Sequence, residues 1–456
     1  MSRLFAIAAK DPIVPTFRAR ALRDTPAEVR DIYAWHASTY VEQPALADLR
    51  RFFVDAVLRA QTPKACLIAP FGYGKTASVI GLWNSCSQGG LLVVPPISCS
   101  SFTELAGAMY DWLTFALPDL APSLTEAHDT FLVSSAESLA RHDERVFGIP
   151  FDQAITAIRD KLERGYLDFD DVSINLLAFI DQATAIAQLA GYSGLVVMID
   201  EFQQLLGNAN KGTLIALRQF IWGLRVRKMP FGLVITMDPD TERTLSDRAG
   251  DILHRIKDDG FYLDIRHIYD HTFPARLWQH YADALGLSPA ERQAIDRPAL
   301  EALGQLCERD DLSNGPRTVI NVLQRASERW TAEGPAAYNP INLIDDLLTG
   351  RIRFDGDRGI VPALVAELLN FPYFQRSPDR AAVLKLIAAF PRGCPEHVAE
   401  QYGLGQAWRE LNDDLRGEIV TETEEGLALI ELQRVGRPAN RLNILLRRYW
   451  MQITDQ

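Results

Sequence analysis

Cysteine is scarce: five in 456 residues, at Cys66, Cys86, Cys99, Cys307 and Cys394. None stands in a CxxC pair, which argues against both a zinc site and a disulfide framework. Basic charge is also in deficit, with 47 Lys and Arg against 59 Asp and Glu and a net charge of −12. A chain that grips nucleic acid over its whole surface is usually basic, so any such contact must come from a local patch. Long apolar runs are missing too. Leu195–Ile199 is typical of the longest, far below the roughly 18 residues needed to span a bilayer. The apolar stretch Leu4–Ala9 behind Arg3 stops at Lys10-Asp11, short of the ~7–15 residues of a signal-peptide core. The expectation is a cytoplasmic protein with no membrane segment. Internal repeats and low-complexity segments are absent.

What is present is an ordinary globular composition, 47% hydrophobic and 23% charged, at a length that suggests two to four domains. Residues 1–45 carry Arg3, Lys10, Arg18, Arg20, Arg23 and Arg30 among several prolines and read as an extended basic arm. Residues 46–270 alternate strands and helices, the pattern of an α/β parallel sheet. Apolar strands are predicted at Ala65–Ala69, Leu91–Val94, Leu195–Ile199 and Gly232–Met237. Within this core, residues 118–190 read as a helical insertion, with helices over Phe151–Arg164 and Asp171–Ala190. Residues 271–332 are helical only and form a predicted all-α lid. A connector follows over 333–372. Residues 373–456 give the order of a winged helix: helices Pro378–Phe390, Pro395–Tyr402 and Gln406–Leu415, then strands Glu418–Glu422 and Leu427–Leu432.

The chemistry concentrates in a few short phrases. Ala69-Pro70-Phe71-Gly72-Tyr73-Gly74-Lys75-Thr76, with Ala77 next, stands between a strand and a helix. Glycines there let backbone N–H groups converge on phosphate oxygens, and the helix N-terminus adds its positive end. Lys75 is placed to reach the β- and γ-phosphates of ATP, and Thr76 offers a hydroxyl to Mg²⁺. A structural glycine turn is the plain alternative, and it does not account for the flanking strand and helix. Leu195–Ile199 ends in Asp200-Glu201. The first acid suits Mg²⁺ coordination and the second suits a base that polarises attacking water. Two acids capping a helix would look the same without the upstream loop. The next strand ends at Asp238, a polar group able to sit between Glu201 and the γ-phosphate, with Thr236 as the alternative. Arg255, in Ile252-Leu-His-Arg255-Ile, is a candidate to offset charge on a neighbour's γ-phosphate. Arg248 competes for that role, and a surface arginine is the bland reading of either. Asn314-Gly-Pro-Arg317 opens a helix and would set a guanidinium over bound nucleotide. His267 and His271 are four apart, and lid packing explains them better than a metal. Arg225, Arg227 and Lys228 form a small basic cluster whose default is a solvated helix end.

These phrases, in this order over about residues 45–330, resemble the AAA+ P-loop ATPases, in the branch of origin-recognition proteins and TnsC-type transposition regulators. The resemblance implies Walker A for Ala69–Thr76, Walker B for Asp200-Glu201, sensor 1 for Asp238, an arginine finger for Arg255 and sensor 2 for Arg317. Three departures stand out: Ala69 in place of the usual first glycine, Asp at sensor 1 where Asn or Thr is usual, and the long helical insert. Three further phrases look like the ATP-binding proteins of BREX-type anti-phage systems: Ala190–Glu201, Ser313–Arg317 and Tyr338-Asn-Pro-Ile-Asn-Leu-Ile-Asp345. That likeness implies a multi-protein defence setting.

The expected function is therefore an ATP-hydrolysing motor or switch. It would assemble with copies of itself, as a ring or helix, and remodel or recruit a nucleic-acid or protein client. The alternatives are an ATP-bound assembly scaffold and a transposition- or replication-type DNA-binding regulator with double-stranded DNA as partner. The winged helix argues against a DNA reader: its third helix carries Glu410, Asp413 and Asp414 against Arg409, and its wing holds Glu422, Glu424 and Glu425. Arg437, Arg441, Arg447 and Arg448 beyond it form the basic face nearby.

Overall fold

The computed structural model describes residues 26–163, 170–207, 211–258, 260–308, 315–334, 337–352 and 360–433. The described residues up to Ile268 form one compact unit, and those from Tyr269 onward form a second.

The first unit is α/β. Its sheet has five parallel strands, β1 (Lys64–Ile68), β2 (Leu92–Val93), β3 (Leu195–Ile199), β4 (Phe231–Met237) and β5 (Gly260–Asp264), in the order β2-β3-β4-β1-β5. Strands β1, β3 and β4 are buried along their whole length, as their continuous apolar character requires in a sheet covered on both faces. Ile68 pairs with Met237 and Ile199 with Ile235. This register brings the C-terminal ends of β1, β4 and β3 side by side. Helix α1 (Pro26–Thr39), α2 (Pro44–Leu58), α3 (Lys75–Gln88) and α4 (Phe102–Ala116) precede the insertion. Helix α2 lies so close to β4 that a Cβ on Gly232 would come within 2.5 Å of the Phe53 ring and 2.8 Å of Val57.

The basic arm expected over residues 1–45 is corrected in its second half, because Pro26–Thr39 is a helix. The proline that suggested extension stands at the first helical position, where the missing N–H is not needed. Tyr33 is fully buried, edge-on to Trp83 with centroids 5.7 Å apart. The arm's Arg3, Lys10, Arg18, Arg20 and Arg23 lie outside the described residues.

The insertion holds α5 (Ala121–Phe147), α6 (Phe151–Glu163) and α7 (Asp170–Leu189). The 27-residue α5 had no separate place in the sequence reading. It is no appendage: Leu124, Phe131 and Phe179 are buried in the same cluster as the sheet. His128 of α5 stacks on Tyr110 of α4, with centroids 4.4 Å apart. Beyond β3 come α8 (Gln203–Leu206), α9 (Lys211–Val226) and α10 (Pro239–Asp258), the last broken at Ala249 (φ −152°, ψ 49°).

The second unit contains α11 (Phe273–Ala284), α12 (Arg297–Cys307) and α13 (Pro316–Glu333), then α14 (Pro340–Leu348) and α15 (Ile360–Leu369). A short α16 (Pro372–Gln375) leads into a winged helix: α17 (Pro378–Ala389), α18 (Glu396–Gln401), α19 (Gly405–Leu415), the antiparallel pair β6 (Val420–Thr423) and β7 (Gly426–Leu429), and α20 (Ile430–Gln433). The expected connector over 333–372 is corrected: α14 and α15 occupy it and pack on α17. Its phrase Tyr338-Asn-Pro is a helix start. Asn339 and Asn342 cap each other reciprocally, and buried Tyr338 donates to Asp346 at 3.0 Å. The acids of the winged helix take up its own bases, Arg409 with Glu396 (3.4 Å), Arg380 with Glu410 (3.0 Å) and Arg416 with Glu422. Arg437, Arg441, Arg447 and Arg448 lie outside the described residues. Among the described residues no helix is long and apolar enough to cross a membrane.

Candidate active site

The glycine-rich loop leaves β1 at Ile68. Gly72 and Gly74 adopt φ of 91° and 79°, a region closed to most side chains. Ala69 has no positive φ and is fully buried, its N–H donating to Met237 O at 3.3 Å. A methyl group at that position therefore strains nothing, which accounts physically for the departure from glycine. Lys75 opens α3, so the loop delivers its backbone amides at a helix N-terminus, a favourable place for phosphate. The Lys75 ammonium donates to Ala69 O (2.7 Å) and Pro70 O (3.0 Å), folding back over its own loop. Phe71 is 62% exposed at the loop's outer side.

Asp200 is 1% exposed at the end of β3. Its two oxygens are each taken by a hydroxyl: Thr76 donates to Oδ2 and Thr236 to Oδ1, both at 2.5 Å. Thr236 is fully buried and also accepts from the Glu201 N–H at 3.0 Å. One threonine on β4 thus holds both acids. Glu201 sits at φ 53°, left-handed for a non-glycine residue. Its carboxylate accepts from the Gln204 amide, and Gln204 accepts from Ser98 Oγ at 2.7 Å. Thr76 and Asp200 converge as hard oxygen donors, which fits Mg²⁺. That ion usually takes one or two protein carboxylates and completes its shell with phosphate and water.

Asp238 follows β4, next to Ala69 across the sheet. Its carboxylate is turned to the start of α10, where it accepts from the Thr241 N–H at 2.6 Å. The alternative, Thr236, makes the direct contact with the acid pair. Sequence reasoning ranked it second because the register of β3 against β4 was not yet in hand. Once Ile199 is set opposite Ile235, residue 236 falls beside Asp200. Gln204 and Ser98 were missed altogether. A glutamine three residues after Glu201 on a short helix was the available signal.

Arg255 lies in the last turn of α10, its guanidinium 3.9 Å from the Trp222 ring centre. Its Nη1 is buried and has no hydrogen-bond partner among the described residues. Arg248 is exposed, one residue before the break in α10. Between them Asp251 takes Arg218 through two hydrogen bonds (2.6 and 2.8 Å). That bond holds the Asp251 carboxyl below the usual carboxylate range. Arg317 belongs to the second unit, half-buried in the first turn of α13, and Asn314 lies outside the described residues. His271 is hydrogen-bonded to Glu308 at 3.1 Å. Among the described residues no three His, Cys, Asp or Glu side chains gather as a metal cage.

Three solved structures share this chain's general path. Cdc6p from Pyrobaculum aerophilum is 13% identical with a TM-score of 0.46, covering 97% of each chain. The ORC2 protein of Aeropyrum pernix, solved as ADPNP–ADP complexes, is 15% identical with a TM-score of 0.40, covering 97% of this chain and 96% of that one. The ORC1 protein of Aeropyrum pernix, solved in complex with DNA, is 13% identical with a TM-score of 0.38, covering 87% and 92%. At these identities and scores no residue's role is taken from them. No protein-family profile and no curated protein matches the sequence.

Proposed function

We propose that this chain is an ATP-binding and ATP-hydrolysing switch or motor of the AAA+ kind. One observation carries the reading: Thr76, Asp200, Thr236 and Glu201 are joined by hydrogen bonds at the C-terminal edge of three adjacent strands, beside the glycine loop. In this reading the loop amides and Lys75 hold the β- and γ-phosphates, and Thr76 and Asp200 hold Mg²⁺, which supplies charge neutralisation when bound. Glu201 orients and deprotonates the attacking water, and Thr236 fixes the geometry of both acids. Lys75 acts on bound nucleotide already in the ground state, whereas Glu201 acts in the transition state. Lys75→Ala should therefore abolish ATP binding. Glu201→Gln should keep binding and lose ~10²–10⁴-fold in turnover. Fluorescent-nucleotide titration and phosphate release decide this, and a Glu201→Gln protein turning over ATP at the parent rate would refute the assignment.

Arg255 is assigned to a neighbour's nucleotide. Helix α10 leaves the C-terminal edge of the sheet at Pro239 and must return to the N-terminal edge, where β5 begins at Gly260. Arg255 is 16 residues along it (255 − 239), roughly 20 Å from the edge that carries its own loop, allowing for the break. A guanidinium there serves a second subunit better than its own. Arg317 and Asp238 keep the weaker roles that the resemblance gives them.

The client and setting are finer statements. An anti-phage defence role rests on the three short phrases alone, and double-stranded DNA remains a candidate partner. The defence reading requires that phage plating efficiency rise when Lys75→Ala replaces the parent chain in its native cells.

A further inference from the structure

Two large apolar side chains stand in solvent on one face of α9, four residues apart: Trp222, 48% exposed, and Val226, 66% exposed. Such pairs share one side of a helix, and Arg218, one turn earlier, continues the row. Helix α10 answers it rung for rung. Asp251 pairs with Arg218, and Arg255 lies over Trp222. The result is a flat platform near the N-terminal edge of the sheet, where α9 and α10 both end their return. It combines exposed apolar surface with a guanidinium whose Nη1 is buried and unpaired. A buried donor left without an acceptor is unfavourable by about 1–3 kcal/mol, so the platform lacks an acidic acceptor flanked by something apolar.

The opposite edge of the same unit offers that combination. The phosphate loop presents Phe71, 62% exposed, beside the place where nucleotide phosphates would lie. We propose that the Trp222–Val226–Arg255 platform is the docking surface for the nucleotide-loaded loop of a second copy of this chain, with Phe71 seated against Trp222 and Val226. This rests on the reading that the loop binds ATP. Charge complementarity selects the occupant, because Arg255 gains its acceptor only when phosphate is present. Trp222 acts as a positioning residue that holds the guanidinium ready at the surface. The contact joins two different faces, so it runs head to tail and propagates, closing into a ring or continuing as a filament.

The test uses the full chain with Mg²⁺ and a non-hydrolysable ATP analogue, followed by sedimentation velocity alongside analogue titration. The parent protein should assemble only with analogue. Val226→Glu should bind the analogue within about twofold of the parent and fail to assemble. Trp222→Ala should weaken assembly ~30-fold or more, the size of an aromatic anchor loss. Phe71→Glu, blocked at the other face, should also fail alone. Mixing Val226→Glu with Phe71→Glu should give dimers and nothing larger, because one intact loop and one intact platform remain. That dimer needs no nucleotide on the Phe71→Glu chain. Assembly of Val226→Glu at parent strength, or a mixture that stays monomeric, would overturn the proposal. A parent that binds analogue without assembling overturns the surface and leaves the ATP reading standing. A parent that binds no analogue removes both.

Discussion

At the scale of single residues, the site turns on which side chain of β4 serves the acid pair. Thr236 holds Asp200 and the Glu201 N–H together from a fully buried position. Asp238 is occupied in capping α10. The two roles separate under substitution. Thr236→Val keeps the volume and removes the hydroxyl, leaving Asp200 and the Glu201 N–H each short of a partner. Hydrolysis should fall by ten-fold or more while nucleotide binding persists, since a misplaced base acts on the transition state. Asp238→Ala should instead cost about 1 kcal/mol of stability, as the loss of an N-cap does, seen as a lower Tm with a smaller effect on turnover. A large hydrolysis loss in Asp238→Ala at unchanged Tm would restore it as the sensing group. The loop glycines, Lys75, Thr76 and the acid pair were legible in the sequence because backbone conformation and phosphate chemistry restrict those positions to few residue types. Thr236, Ser98 and Gln204 were not, because any small polar residue reads alike until strand register and a helix turn place it.

At the scale of elements, periodicity located the buried strands and most helices and failed where a helix carries proline or polar surface. Helix α1 starts on Pro26, α14 starts on Pro340, and α5 is mostly polar along its outer side. What no pattern in one segment can show is how closely two segments approach. Helix α2 meets β4 at Gly232, with Phe53 and Val57 fully buried against the bare backbone. Gly232→Ala would force those side chains aside, and overpacking of this kind typically destabilises by about 1–3 kcal/mol. Urea unfolding should show a lower midpoint at unchanged m-value. A midpoint equal to the parent's would mean that α2 can move away without loss.

At the scale of the whole molecule, the sequence indicated an α/β core followed by helices and a winged helix, and the structure adds that lid and winged helix share one unit. Arg392 bonds Glu308 and its N–H reaches Gln305 at 3.0 Å, while Gln305 also donates to Glu425 of the wing at 3.0 Å. Tyr402 donates to Asp296 at 2.5 Å, the residue that caps α12. Burial raises the Asp296 carboxyl above its ordinary value, and the Tyr402 hydroxyl and Ala299 N–H offset this only in part. Its contribution to stability is therefore fullest below the unfolded carboxyl's pKa and is lost as pH rises through the folded one. Asp296→Asn keeps the acceptor and cannot ionise. Its Tm should exceed the parent's near pH 7–8, and the difference should vanish toward pH 4; a difference independent of pH would refute this. The wing's engagement with the lid also bears on DNA. Arg409 is paired with Glu396, so in the full chain Arg409→Ala should leave duplex affinity within about twofold. The slope of log affinity against log salt should be unchanged, where loss of a phosphate contact would reduce it by about 1. A reduced slope would make the winged helix a DNA reader.

Glu201 stands in a backbone conformation that glycine or asparagine enters more easily than glutamate does. Selection for a well-folded chain alone would have put one of them there, at a gain of roughly 1 kcal/mol. Keeping a carboxylate at that turn means that the protein tolerates a weak point in its architecture at the position where water would be split. Drift toward a sturdier but silent descendant is one codon change away, and the residue at this turn is the quickest thing to read when asking whether a related chain still turns over what it binds.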